Sequence, residues 1–249
     1  MGDAAISLLA VHLSDGVVAW PAWVLGVFAA VALVIYGSWR IRDDEIPRVA
    51  LLTAAFFIAS LIHIRVGPTS VHLLLNGLVG VILGRRACIA IAIGLLLQVC
   101  LLGHGGFTTL GINMVVISLP AIFSGWYFQM NRGSRGLGVK EATLALSYIL
   151  HPWLLLVLGP TLFAWHRLEK RWNIDGVFRA GFVAGGGAIF FTAILNSVVL
   201  VVAGEQDWRV VAALVFVAHL PLVLIEGMIV GFATSFLMKV QPALLRVHR

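Results

Sequence analysis

Residues 68–103 read PTSVHLLLNGLVGVILGRRACIAIAIGLLLQVCLLG, two apolar runs parted by Arg85-Arg86. Neither run, 68–84 or 87–103, contains a Lys, Arg, Asp or Glu. Each is close to the ~20 residues needed to cross a hydrocarbon core. The stretch therefore reads as two membrane spans joined by a short basic turn. Five further stretches read the same way: 19–39, 49–64, 107–130, 177–203 and 209–238. An eighth, 142–165, is interrupted by His151-Pro152 and Gly159-Pro160.

Composition agrees with that reading. Of 249 residues, 61% are hydrophobic and 11% charged, with a mean hydropathy of +1.03. Soluble domains carry about 25% charged residues, so a soluble enzyme is excluded. The expected architecture is an all-α integral membrane protein of about seven transmembrane helices, possibly eight, forming a single polytopic membrane domain over 1–249. The surplus of 17 Lys+Arg over 11 Asp+Glu is scattered over short loops, which argues against nucleic acid as a partner. Cys88 and Cys100 lie in one apolar run without Cys-x-x-Cys spacing and read as packing residues. The opening residues, MGDAAISLL, lack the basic start of a cleavable signal.

Loop charges discriminate between the two span counts. If 142–165 crosses, the two sides carry nine and eight basic residues. If it does not, one side carries fifteen and the other only Arg65 and Arg209. Basic loops stay in the cytoplasm, so seven crossings are expected, amino terminus outside and carboxyl terminus cytoplasmic. On that reading 142–165 is re-entrant, interfacial or a peripheral hairpin.

Ionisable groups at membrane depth are costly and mark function. Here they are His12, His63, His72, His104, His151, His219 and Glu226. His151 and His219, each beside a proline, read as residues that satisfy carbonyls freed by a helix break; Glu226 reads as fixing helix packing or docking. Three segments stand apart: Val11-His12-Leu13-Ser14-Asp15-Gly16, Gly67 to Leu73 around His72, and the Gly-rich turn from Gly103 through His104 to Asn113.

HLSDG near the start, SVHL before a Gly-rich helix, GHGGFTTLGINM, and the closing HLPLVLIEGMIVGFATSFLMKVQPALL at 219–245 resemble the CbiM/NikM family. Its members are the substrate-binding membrane (S) subunits of energy-coupling-factor transporters for cobalt and nickel. The resemblance covers about 11–130 and 177–245, and makes 131–176 an insertion and 1–18 a metal-binding amino-terminal segment. It implies uptake of Ni²⁺ or Co²⁺, with no resident cofactor and no ATPase of its own; no phosphate-binding P-loop occurs in the chain. The implied partners are a membrane coupling (T) subunit, cytoplasmic ABC-type ATPases and a small accessory membrane subunit.

The family's ion is held by a terminal amine, the next residue's amide and ring, and a later His. The matching positions are the backbone amine of Val11, His12 and His72. Four nitrogens in a plane suit Ni(II). Ser14, Asp15, Gln98 and Asn113 lie near these motifs and are expected to orient the rings. Two readings of the amino end remain open. The chain begins at position 11, or it begins at Met1 and another ligand such as His104, which replaces the family's usual Asp, completes the set. The rival functions are an S subunit for a different small substrate such as a vitamin, a haem-binding membrane cytochrome subunit, and an intramembrane hydrolase built on Ser70 or Ser124.

Overall fold

The computed structural model describes residues 12–66, 69–133 and 175–245, with backbone only at 64–66, 69 and 70. Val11, the stretch 142–165, most of 131–176, expected as an insertion, and the first eleven residues of the 1–18 segment lie outside the described residues. Described helices are α1 (Trp20–Ser38), α2 (Ile46–Ala59), α3 (Asn76–Leu83), α4 (Ala87–Leu102), α5 (Leu110–Asn131), α6 (Gly176–Ala203) and α7 (Arg209–Val240). Between α2 and α3 the strands β1 (His63–Val66) and β2 (Thr69–His72) form an antiparallel hairpin.

That hairpin corrects the expectation of a purely helical chain. The sequence His63-Ile64-Arg65-Val66 alternates in polarity, the period of a strand, and Gly67-Pro68 separates it from Thr69–His72. A span running unbroken from 68 is therefore replaced by β2, an irregular link at 73–75, and the eight residues of α3.

Among the described residues, five segments are long and apolar enough to cross a membrane: 20–38, 76–102, 110–131, 176–203 and 209–240. The second is not one rod. A straight helix of its 27 residues would be about 40 Å long. Yet His72 and His104, which flank it, have ring centroids 5.2 Å apart. The chain folds back at Gly84, whose φ of 56° and ψ of −126° end α3, and the turn Gly84–Arg86 leads into α4. Residues 85–86 are thus a turn between two arms, as their charge implies.

Arg86 anchors that turn to the end of α1. Its guanidinium donates to the carbonyls of Trp39 (2.7 Å) and Arg40 (2.9 Å) and pairs with Glu45 at 3.0 Å. A cation on the exposed carbonyls of a helix C-terminus is favourable in both charge and hydrogen bonding. The Arg86 contacts also outweigh the burial that alone would raise Glu45, and hold its carboxyl below the ordinary value.

The arms run alternately between two ends of the bundle. The histidine end holds residues 12–18, the hairpin, the 103–109 turn and the α6–α7 connection, where Ala19 N–H donates to Ala203 O at 2.8 Å. The opposite end holds the α1–α2 turn and the α3–α4 turn. There Gln129 and Arg132 donate to Leu245 O at 2.7 and 3.0 Å, and Asp175 accepts from Ser235 at 3.1 Å. Residues 133 and 175 therefore lie at one end.

Small residues set the closeness of the packing. A Cβ at Gly80 would strike the Ala121 carbonyl, and α3 lies against α5 at backbone distance. Along α6 and α7, Gly185 faces the Glu226 carbonyl and Val230 while Gly227 faces Phe182. The Gly185-Gly186-Gly187 run is close packing inside an unbroken helix. Outward faces are apolar: α1 leaves Leu25, Phe28 and Ile35 exposed, as a lipid-facing helix does.

Candidate metal centre

Three separate stretches of chain bring one imidazole each to the same point. His12 comes from the segment before α1, His72 from the end of β2, and His104 from the turn after α4. One ring nitrogen of each lies within 4.8 Å of the others. His12 and His72 are 2% and 1% exposed, and His104 is half-buried.

Each position is built locally. The fold-back of residues 98–104 places His104: Gly103, at φ 62°, caps α4 by donating to Val99 O, and His104 N–H donates to Gln98 O, both at 3.1 Å. His12 is set by its neighbour. Leu13 N–H donates to Asn113 Oδ1, and Asn113 Nδ2 donates to Leu13 O, both at 2.9 Å; Thr109 Oγ1 adds a bond to the same carbonyl at 2.6 Å. Two residues on, the Asp15 carboxylate accepts from the N–H groups of Phe107 (3.1 Å) and Thr108 (2.8 Å) and from Thr108 Oγ1. Gly106 is required there, since any Cβ would strike Asp15.

His72 is placed from the far side of the molecule. The Glu226 carboxylate on α7 accepts from Leu74 N–H and, at 2.9 Å, from Leu75 N–H. Leu75 has φ 53°, a left-handed conformation costing a non-glycine residue about 1–2 kcal/mol, and this carboxylate holds it. Asn76 follows, donating to Ile117 O (3.2 Å) and Thr192 Oγ1 (3.0 Å) and tying α3 to α5 and α6.

The rings suit a cation once deprotonated. Burial, then the positive charge that His72, His104 and His219 would carry, pushes His12 well below 6.5. Burial, then His63, lowers His104. Neutral imidazole is a ligand for divalent transition metals. His72 Nδ1 lies 3.2 Å from Leu73 O; a carbonyl only accepts, so Nδ1 carries the proton and Nε2 the lone pair. That Nε2 is 3.3 Å from His12 Nδ1. The Nε2 atoms of His12 and His104 are buried without a hydrogen-bond partner among the described residues.

Of the residues expected at the site, His12, His72 and His104 converge; Asp15 and Asn113 hold the backbone that carries them. Gln98 is fully buried and contributes its carbonyl to the turn, but its amide makes no hydrogen bond to a ring among the described residues. Among the described residues Ser14 contributes a carbonyl, to Val17 N–H at 3.4 Å, and no side-chain bond to a ring. Val11 lies outside the described residues. His219 Nδ1 bonds the Val215 carbonyl one turn back, within a helix that runs on through Pro221 rather than breaking there. The sequence marked two further ionisable residues without placing them at the site. His63 stands beside the cluster, 5.8 Å from His72 and 5.9 Å from His104 between ring centroids. Glu226 positions the residues after His72; its depth in an apolar helix was the available signal.

The chain matches the family described as the CbiM cobalt uptake substrate-specific transmembrane region, over residues 12–154 and 152–244. It is 32% identical to a Haemophilus influenzae protein named for metal transport, over 93% of this chain and 95% of that one. It is also 32% identical to the fused nickel transport protein NikMN of Rhodobacter capsulatus, over 49% of this chain and 38% of the relative. Among solved structures, that of a transition metal transporter superposes with a TM-score of 0.66 at 18% identity, over 92% of this chain and 93% of that one, which shows a shared fold.

Proposed function

Because the chain belongs to the CbiM family of cobalt-uptake substrate-specific transmembrane proteins, we propose that it is the substrate-binding S subunit of an ATP-driven energy-coupling-factor transporter for Co²⁺ or Ni²⁺. It is a multi-pass membrane component of cobalt or nickel uptake, and no enzyme family is indicated. One observation carries the finer reading: three imidazoles from distant segments converge on one point at one end of an apolar bundle. The ion exchanges its water for nitrogen from His12 and His72, with His104 as third ligand. Asp15 and Asn113 keep the carriers of those rings in register, the work that outer-shell partners do in metal sites.

Seven crossings, with the histidine end outside and the carboxyl terminus in the cytoplasm, fit the arrangement of the arms. Residues 133 and 175 lie at the end opposite the histidines. Arg40, Arg42, Arg48, Arg85, Arg86, Arg132, Arg179 and Lys239 gather at that end, which the positive-inside rule makes cytoplasmic. Energy comes from partners: a membrane coupling subunit and ABC-type ATPases docking at the basic end, with a small accessory membrane subunit. The relative named NikMN, a fusion, supports a separate or fused companion chain. The host membrane is the cell (inner) membrane of a bacterium or archaeon.

The test is calorimetric titration of Co²⁺ and of Ni²⁺ into the purified full chain in detergent. Micromolar or tighter binding, lost in His12→Ala and His72→Ala, is the expected result. Unchanged binding in the double variant, or uptake of a vitamin unaffected by both substitutions, would sink the reading.

A further inference from the structure

His219 is a buried histidine that the ligand set leaves unused. It lies on α7 at 1% exposure, on the helix face that also carries Leu222 and Glu226. α7 packs against β2, the strand that ends in His72. Glu226, two turns further along, bonds Leu74 and Leu75, the second and third residues after His72. The charge that a protonated His219 would carry acts on both His12 and His72, so the three rings are electrostatic neighbours. A proline at 221 leaves the carbonyl of Val217, four residues back, without its donor, yet the His219 ring bonds Val215. The ring is therefore not a patch for the proline. Because a carbonyl only accepts, the His219 proton is on Nδ1 and the lone pair on Nε2. That Nε2 is buried with no hydrogen-bond partner among the described residues.

His12 has the complementary need. Its Nδ1 is 3.3 Å from His72 Nε2, which carries a lone pair, so in this structure the His12 proton is on Nδ1. An ion held between these two nitrogens takes a lone pair from each, and the one ring proton of neutral His12 then sits on Nε2. His12 Nε2 is itself buried without a hydrogen-bond partner among the described residues. A buried N–H without an acceptor opposes the tautomer that carries it. Metal-bound histidines almost always donate their second ring N–H to an acceptor that fixes tautomer and orientation. The polar neighbours of His12 are already spent on backbone, Asp15 on Phe107 and Thr108, Asn113 on Leu13.

We infer that His219 is a positioning residue of the site: its Nε2 receives the Nε2 proton of His12, directly or through one water, and so holds His12 in the tautomer whose Nδ1 lone pair faces the ion. This rests on the reading of the cluster as the transported ion's site. A water suits the place, because a buried water needs at least two polar partners and the two Nε2 atoms supply them. It donates to both nitrogens while the His12 proton is on Nδ1, and accepts from His12 once the ion displaces that proton to Nε2. The proton moves within one neutral ring, so the shift adds no charge to the apolar interior. His219 acts on the ion through His12 and does not touch the ion itself.

The experiment is calorimetric titration of Ni²⁺ and of Co²⁺ into the full-length chain in detergent, with melting temperatures in chelator alongside. The chains compared are the wild type, His219→Leu, His219→Gln and Gln98→Leu. His219→Leu removes the acceptor and is expected to weaken binding of both ions by about 10–100-fold. His219→Gln restores an acceptor oxygen and is expected to recover most of that loss, at a metal-free melting temperature like that of the leucine variant. His219→Met takes the place of the leucine variant if the latter does not fold. Wild-type affinity in the apolar variant overturns the role of His219. An equal loss in the glutamine variant also overturns it, since the residue would then serve packing alone. A loss in Gln98→Leu that His219→Leu does not share assigns the acceptor to Gln98, whose buried amide also lacks a partner among the described residues, and overturns it too. A wild type that binds neither ion overturns the functional reading itself.

Discussion

Asn113 and Leu13, a hundred positions apart, exchange a reciprocal pair of hydrogen bonds in which a side-chain amide stands in for a neighbouring strand. Both groups of one residue's backbone are satisfied by one side chain, so the residue before it, His12, is fixed in direction as well as place. The clamp belongs to α5, the helix that also carries Thr109 at its N-cap.

Replacing Asn113 by leucine removes the clamp while leaving every imidazole in place. Metal affinity is expected to fall by about 10–100-fold, the usual cost of losing an orienting partner. Thermal unfolding should show a loss of about 1–3 kcal/mol, because Leu13 N–H is left buried and unpaired. Calorimetry on the variant checks both; full affinity would show that His12 is placed by other contacts.

Glu226 offers a second test, on the opposite side of the site. It is fully buried and satisfies two backbone N–H groups at a strained Leu75. Glu226→Leu leaves both donors orphaned in an apolar interior and is expected to cost about 2–5 kcal/mol. Glu226→Gln keeps an acceptor oxygen and should fold, with metal affinity reduced less than in the leucine variant. Equal melting temperatures for the wild type and Glu226→Leu would refute the anchoring role.

Acidification should destabilise the metal-free protein. Burial and neighbouring rings lower His12 and His104 in the folded state, while the unfolded chain takes up protons near 6.5. Between that value and the folded values the unfolded state holds more protons, so stability rises with pH across the window. The melting temperature in chelator is expected to fall from pH 7 to pH 5, with a shallower slope in the double variant His12→Leu, His104→Leu. A flat wild-type profile would mean that the rings are not held neutral by their surroundings.

His12 and His72 were legible because they sit in short ordered motifs whose chemistry is specific, and His104 because a histidine in a Gly-rich turn is conspicuous. His63 was visible only as an ionisable residue at membrane depth. Its place beside His72 depends on a hairpin that hydropathy averaging hides, since alternating polarity over four residues vanishes in a span-length window. The anchoring of Leu74 and Leu75 by Glu226, 152 and 151 positions apart, leaves no local trace in either segment.

By itself the sequence determined that this is a membrane bundle with histidines at one end, because apolar run lengths, loop charges and residue types are properties of the chain read in order. Only the tertiary structure decided which histidines meet, that 76–102 is two arms, and which buried carboxylate and amide hold the rings. Those depend on how distant backbones approach one another, through small residues such as Gly80 and through hydrogen bonds an apolar interior obliges every polar group to find.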